Sequence, residues 1–178
     1  MPLFRQSPTI ELWIDNEVDP VIRPAVLGVL QEGVMPLSLA YEEIAQHGRR
    51  GMAQLIEVVG ITGPQDTEAA VAVAQEMELD EALHGLFGYL LRMSDLRFRY
   101  RKFFERGSKV YAPSLAERYD TAARVAAIEC LIALTDRVPT DSEWRPAFER
   151  VAREYVGWRN DSNLDWSVQA LARALHIG

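Results

Sequence analysis

The chain has 178 residues, of which 48% are hydrophobic and 25% charged, and its formal net charge at pH 7 is −7. This composition is typical of a soluble globular protein that buries a core without needing a disulfide or a metal. The acidic balance argues against DNA binding as the main task. A single cysteine, Cys130, excludes an internal disulfide and fits a reducing compartment. Because no apolar run is long enough for a membrane span or a signal peptide, we expect a cytoplasmic protein with no membrane partner.

The first 62 residues carry the pattern of a strand, a helix and a second strand. The stretch "PTIELWIDNEV" places Ile10, Leu12 and Ile14 on one side of an extended chain, which is typical of a strand. Residues 21–30 then carry apolar side chains at helical spacing, and "VMPLSLAYEE" alternates again. Elements in this order predict a right-handed βαβ unit with parallel strands. Residues 55–62 are a candidate third strand.

From residue 63 onwards the sequence has the start and stop signals of helices. A helix is predicted after the Gly63–Pro64 break, and two capping boxes, Ser114–Glu117 and Thr140–Glu143, precede further apolar runs. A last amphipathic helix is predicted at 164–176. The sequence therefore predicts an α+β fold, in which a small N-terminal βαβ unit (1–62) is followed by a predominantly helical bundle (63–178). The two parts are expected to pack as one compact domain.

The stretch "RFRYRKFFERGSK", residues 97–109, combines six basic groups with four aromatic rings, and we call it the basic segment. Its alternation would suit a strand. Against this, Ser94 or Asp95 can cap a helix, basic side chains crowd the last turns, and Gly107 lies where a helix-ending glycine belongs. We therefore predict a helix here.

Two functional interpretations of the basic segment stay open. Residues 66–81, which we call the acidic block, carry six carboxylates and no lysine or arginine. An acidic helix packed antiparallel to a basic one would satisfy these charges within the protein, and this is the leading interpretation. The alternative is a surface that binds a protein or another anionic partner, with nucleic acid less favoured. Its candidate partner-binding residues are Arg97, Arg99, Tyr100, Arg101 and Lys102.

Other motifs point to chemistry less strongly. Glu81 and His84 have the spacing of a di-iron ligand pair, but no second Glu-x-x-His exists, so no metal site is predicted. Asp15 and Glu17 would lie at the end of the first predicted strand, the edge where ligands bind in open α/β sheets. Arg49 and Arg50, in "QHGRRGM", are candidate anion-binding residues. Cys130 lies in an apolar helical run, where a buried inert thiol is expected.

One stretch resembles a known family. The matching positions are Pro8, Ile10, Val26, Leu27, Gly28, Val29, Glu32 and Gly33, with Pro36 displaced by one residue. Through them, residues 8–36 resemble the start of the small subunit of the reactivating factor for coenzyme-B12-dependent diol and glycerol dehydratases. In that family the small subunit is not a catalyst; it pairs with an ATP-hydrolysing large subunit and exchanges with a dehydratase subunit. The resemblance implies a βαβ start and an accessory role, although Gln31 replaces a glutamate that reaches a metal on the large subunit.

These observations favour a non-enzymatic interaction or accessory protein with a protein partner, no catalytic residue and no cofactor. One alternative is a small metal-assisted enzyme acting on an anionic metabolite, with Asp15 and Glu17 at the sheet edge and Arg49 and Arg50 as anion contacts. A further alternative is an RNA or single-strand binder acting through the basic segment.

Overall fold

The structure is a computed structural model that describes residues 8–31, 33–92, 99–103 and 113–176. Within these ranges every regular element is helical and no strand is found. The helices are α1 (Pro8–Glu17), α2 (Arg23–Leu30), α3 (Leu37–Gln46), α4 (Gly48–Thr62), α5 (Thr67–Glu76), α6 (Leu79–Phe87), α7 (Pro113–Leu134), α8 (Arg145–Glu154) and α9 (Ser162–Ala174). A π-helical turn, Gly88–Arg92, continues α6. The predicted α+β class and its βαβ unit are therefore wrong.

The first predicted strand is helix α1. Ile10, Trp13, Ile14 and Val18 are buried, whereas Leu12 is 50% exposed. These buried positions follow the i, i+3, i+4, i+8 spacing of a helix. The strand prediction failed because the helical stripe shares Ile10 and Ile14 with the alternating pattern, so that Trp13 and Leu12 alone distinguish the two.

The second predicted strand is helix α3. Ala40 and Ile44, one helical turn apart, are its buried residues. Leu37 and Leu39, on which the alternation depended, are 48% and 42% exposed. The apolar alternation at this position therefore describes solvent-facing side chains.

The third predicted strand belongs to α4, the central helix of the fold. Every residue from Leu55 to Ile61 is buried, because α4 packs against α1, α6 and α7. A helix buried on all sides has a continuous apolar run, and periodicity cannot distinguish such a run from a buried strand. The helix ends at Gly63, whose φ of 114° lies in a region that favours glycine.

Several predicted helices are confirmed. Helix α2 lies within residues 21–30, and α5 follows the Gly63–Pro64 break after a short 3₁₀ turn. Residues 99–103 of the basic segment are helical, as predicted. Helix α9 begins two residues before the predicted start at 164, since Asp161 Oδ1 accepts a hydrogen bond of 2.9 Å from the Leu164 backbone N–H.

The predicted capping box at Thr140–Glu143 is wrong. Helix α8 begins at Arg145, with Pro146 in its first turn. Ser142 Oγ instead accepts a hydrogen bond of 3.1 Å from the Trp144 backbone N–H, within the turn that precedes the helix. The polar residues therefore shape the connection and not the helix end.

Packing crosses the boundary that the sequence suggests near residue 63. Helix α4 precedes it and α7 follows it, and the two helices pack against each other. The division into 1–62 and 63–178 stays a prediction. In the described ranges no helix combines the length and apolarity that a membrane span requires.

Candidate binding cleft

The two predicted anion-binding arginines pair with carboxylates of the chain itself. Arg49 forms a two-pronged contact with Glu81, with Nη2–Oε1 at 2.8 Å and Nε–Oε2 at 3.1 Å, and its backbone N–H adds a third bond of 3.0 Å. These hydrogen bonds lower the pKa of Glu81 to about 2. Arg50 Nη2 lies 2.7 Å from Asp19 Oδ2. The assignment of both arginines to anion binding stays a prediction, in competition with these internal pairs.

Arg99 and Tyr100 of the basic segment point into the protein. Arg99 Nη1 contacts the Glu57 carboxylate, and its Nη2 lies 3.6 Å from Glu17 Oε2. Tyr100 is fully buried and donates a hydrogen bond of 2.7 Å to the Glu57 backbone carbonyl. Glu17 and Glu57 both lie outside the acidic block. The internal partners of Arg99 are therefore on α1 and α4, and not on the helix that the sequence suggested.

The other candidates of the basic segment are placed differently. Arg97 lies outside the described residues. Arg101 and Lys102 are exposed on the helical turn 99–103. A partner-binding role for these residues stays a prediction.

The residues with di-iron spacing are bonded to other groups. Glu81 is held by Arg49, and the His84 ring meets the Trp144 ring edge-on, with centroids 4.7 Å apart. Among the described residues, no three His, Cys, Asp or Glu side chains are grouped closely enough to hold a metal ion. Cys130 is fully buried as predicted, and burial raises the pKa of its thiol, which keeps it protonated.

A cleft of about 1130 Å³ opens between three parts of the chain that are distant in sequence. One wall is the α4–α5 corner, residues 60–67. The second is α7, and the third is the start of α9. The α7 wall presents Arg118, Ala122, Val125 and Glu129, at helical spacing, so this wall is about 16 Å long at 1.5 Å per residue.

Arg159 lies at one end of the cleft, where it contacts two buried residues of α7. Its Nη1 lies 2.7 Å from Asp120 Oδ2 and donates to Thr121 Oγ1 at 3.0 Å. Its guanidinium also lies over the Trp158 ring, 4.0 Å from the ring centroid. Asp120 is fully buried and accepts from Arg124 Nε at 3.2 Å with both oxygens. One buried carboxylate thus holds two arginines.

The loop that carries Arg159 has an unusual backbone. Arg159 and Asn160 have φ values of 53° and 51°, and Gly157 has a φ of 67°. Non-glycine residues in this left-handed region cost roughly 1–3 kcal/mol each and persist only where contacts hold them. The ion pair with Asp120 and the stacking on Trp158 supply such contacts. These contacts therefore hold Arg159 in this conformation.

The opposite end of the α7 wall has an acidic and aromatic character. Glu129 is half-buried, and its Oε1 accepts a hydrogen bond of 2.7 Å from Ser167 Oγ. Ser167 is almost fully buried, and the preceding residue, Trp166, is 62% exposed in the cleft. A solvent-exposed indole and a half-buried carboxylate therefore line the same cleft.

Sequence reasoning did not single out Glu129, Arg159 or Trp166 as site residues. One signal was present for Trp166. The buried stripe of α9 is Leu164, Val168 and Leu171, and Trp166 lies off that stripe although it is the largest apolar side chain of the helix. No comparable signal marks Glu129 or Arg159, because only the packing of α7 against α9 and the loop brings them to one cleft.

No protein-family model, curated protein or solved structure was found to match this chain. The resemblance to reactivating-factor small subunits therefore stays a prediction. The strand–helix–strand start that it implied is not found: the regular elements in the described part of residues 8–36 are helices α1 and α2, and Gln31 is only 5% exposed.

Proposed function

We propose that the protein is a non-enzymatic interaction protein that binds an extended segment of a partner protein in the cleft between the α4–α5 corner, α7 and α9. The observation that carries this proposal is the side chain of Trp166, 62% exposed inside a long, open cleft. Tryptophan and arginine are the side chains that most often dominate the binding energy of protein interfaces. An α7 wall of about 16 Å matches roughly five residues of extended chain at about 3.3 Å each.

The chemistry of the cleft favours binding over covalent catalysis. Ser167 is buried and donates to Glu129, and Thr121 donates to the Glu117 carbonyl at 2.9 Å while accepting from Arg159. Neither hydroxyl is poised as an exposed nucleophile beside a base. The charged groups at the Arg159 end stabilise one another, as a rigid recognition surface requires.

The alternatives receive less support. Asp15 and Glu17 lie on helix α1 and not at a sheet edge, and Arg49 and Arg50 are paired with Glu81 and Asp19. For a single-strand binder, the rings of Tyr100 and Phe103 lie in the core, where they cannot stack on bases. These observations weaken the enzyme and the nucleic-acid hypotheses in their original form.

The proposal is tested by selecting short random-sequence peptides on the immobilised wild-type protein and rescreening them on the Trp166→Ala variant. We expect a set of peptides that bind the wild type and lose at least about tenfold in affinity on Trp166→Ala, as for removal of an interface anchor. Val156→Ala is the matched control, because Val156 is 66% exposed and lies outside the cleft lining. If every selected peptide responds alike to the two variants, or none is enriched, the proposed function is wrong.

A further inference from the structure

We infer that the cleft recognises an arginine side chain, whose guanidinium stacks on Trp166 and pairs with Glu129. This inference rests on the proposed function, because it names the chemistry of the segment that the cleft would bind. It identifies the partner segment as basic.

The first argument is the state of the Glu129 carboxylate. Its Oε1 accepts from Ser167 Oγ, and in the described part of the chain Glu129 takes part in no ion pair. Its Oε2 is not fully buried, and Glu129 lines the cleft. A half-buried carboxylate with one engaged oxygen is stabilised when a cation approaches the other.

The second argument is the exposed indole of Trp166, which lines the same cleft as this carboxylate. The negative face of an indole attracts a guanidinium, and the attraction grows when the pair is shielded from water. Trp166 directly precedes Ser167, the residue that donates to Glu129, and both line the cleft with Glu129. The indole and the carboxylate therefore line one cleft, and the inference places a single guanidinium across the two.

The third argument is that the protein uses this chemistry at the other end of the same cleft. Arg159 lies 4.0 Å from the Trp158 ring centroid and its Nη1 lies 2.7 Å from Asp120 Oδ2. A tryptophan and a carboxylate thus hold an arginine there from within the chain. Trp166 and Glu129 offer the same two groups to an arginine from outside.

The charge layout favours a basic ligand at this end. The cleft arginines are Arg118 and Arg159, and Arg159 bonds to Thr121, two helical turns before Glu129. At 1.5 Å per residue the two positions are about 12 Å apart along α7. Among the described residues neither arginine forms an ion pair with Glu129, and the net charge of −7 attracts a basic segment. Arginine fits better than lysine, since its planar guanidinium stacks and pairs at once.

The test uses the full chain and N-acetyl-arginine amide as the probe. The four tryptophans give four indole N–H signals in an NMR spectrum, and Trp166→Phe identifies the one from Trp166. We expect the Trp166 signal to move saturably with millimolar N-acetyl-arginine amide. The neutral isostere N-acetyl-citrulline amide should produce no saturable shift.

The matched variants are Glu129→Gln and Glu117→Gln. Glutamine keeps an oxygen that can accept from Ser167, so Glu129→Gln removes the charge without removing the hydrogen bond, and an unchanged melting temperature checks the fold. Loss of a charge-assisted contact is expected to weaken binding about tenfold. Glu117→Gln, at the Arg118 end of the cleft, should leave the affinity unchanged. An immobile Trp166 signal, an equal response to citrulline, or indifference to Glu129→Gln would each overturn the inference.

Failure of the inference and failure of the proposed function are distinguishable. Peptides that depend on Trp166, together with a failed arginine titration, would leave the cleft as a binding site for another kind of segment. A successful titration without any Trp166-dependent peptide would support the guanidinium site but contradict the proposal that the cleft binds a polypeptide segment.

Discussion

At the scale of single residues, the carboxyl pKa values of two glutamates are shifted in opposite directions. Glu57 is 2% exposed in the middle of α4, and burial raises the pKa of its carboxyl while Arg99 opposes the rise. Glu81 lies on the surface, and the hydrogen bonds from Arg49 lower its pKa to about 2. Both glutamates pair with an arginine, so the difference comes from desolvation.

This difference predicts two pH profiles of opposite sign. The folded state holds the Glu57 proton more tightly than the unfolded chain does, so the contribution of Glu57 is fully present below the ordinary carboxyl pKa of 4.5 and is lost as the pH rises through its folded pKa. Glu81 binds its proton less tightly when folded, so its contribution is present above pH 4.5 and is lost as the pH falls towards 2.

The measurement is the free energy of unfolding in urea at a series of pH values, for the wild type, Glu57→Gln and Glu81→Gln. Glu57→Gln should flatten the decline in stability above pH 4.5, and Glu81→Gln should flatten the loss below it. If Glu57→Gln leaves the wild-type slope above pH 4.5 intact, the carboxyl is not titrating as a desolvated group.

At the scale of elements, the contact between α4 and α7 depends on a single small residue. A Cβ atom at Gly60 would lie 2.7 Å from the Tyr100 hydroxyl, 2.8 Å from the Tyr119 carbonyl oxygen and 2.9 Å from the Ala123 Cβ. These distances are too short for packed atoms, and two of the three neighbours belong to α7. Glycine therefore sets the distance between the two helices that form one corner of the cleft.

Gly60→Ala is expected to destabilise the protein by about 1–3 kcal/mol, the usual cost of overpacking. Gly88→Ala is the matched control, because Gly88 has helical φ and ψ of −55° and −43° and no atom lies within 4 Å of an added Cβ. The control should gain up to roughly 1 kcal/mol from reduced freedom of the unfolded chain. Equal midpoints of urea denaturation for the two variants would contradict the close approach of α4 and α7.

Some helix starts could be predicted from residues near the helix end alone. The start of α5 and the start of α9 were predicted from a Gly-Pro break and a polar loop, and both follow from groups within a few residues of the helix end. The N-terminal strands were predicted wrongly because Ile10 and Ile14 belong to a helical stripe and to an alternating pattern alike. The exposure of Leu12, Leu37 and Leu39 distinguishes a helix from a strand at these positions, and this exposure depends on the rest of the fold.

At the scale of the whole molecule, Asp120 connects segments that no local signal brings together. It holds Arg124, whose Nη1 donates to the Tyr89 carbonyl at 2.8 Å and to the Tyr155 hydroxyl at 2.6 Å, and it pairs with Arg159. Tyr155 in turn donates to the Leu90 carbonyl at 2.7 Å. The network therefore ties α7 to the π-helical turn, to the end of α8 and to the loop at the cleft.

Asp120→Asn is expected to cost about 3–5 kcal/mol of stability, because it leaves two largely buried arginines without their shared carboxylate. The comparison is Glu154→Gln, which removes the exposed pair of Glu154 with Arg150 and should cost less than about 0.5 kcal/mol. Both are measured by urea denaturation. A small loss for Asp120→Asn would mean that the arginines are satisfied by their carbonyl and hydroxyl partners alone.

The sequence by itself determined the local features of this protein: the Gly63–Pro64 break, the helices that follow it, the polar loop before α9 and the burial of Cys130. Each follows from backbone geometry or from apolar spacing over a few residues. Tertiary structure alone decided the helical identity of the N-terminal segments, since the alternating patterns of α1 and α3 and the buried run of α4 each fit a helix or a strand. It also decided the cleft, because Arg159, Glu129 and Trp166 line one cleft only when α7, the loop and α9 pack together.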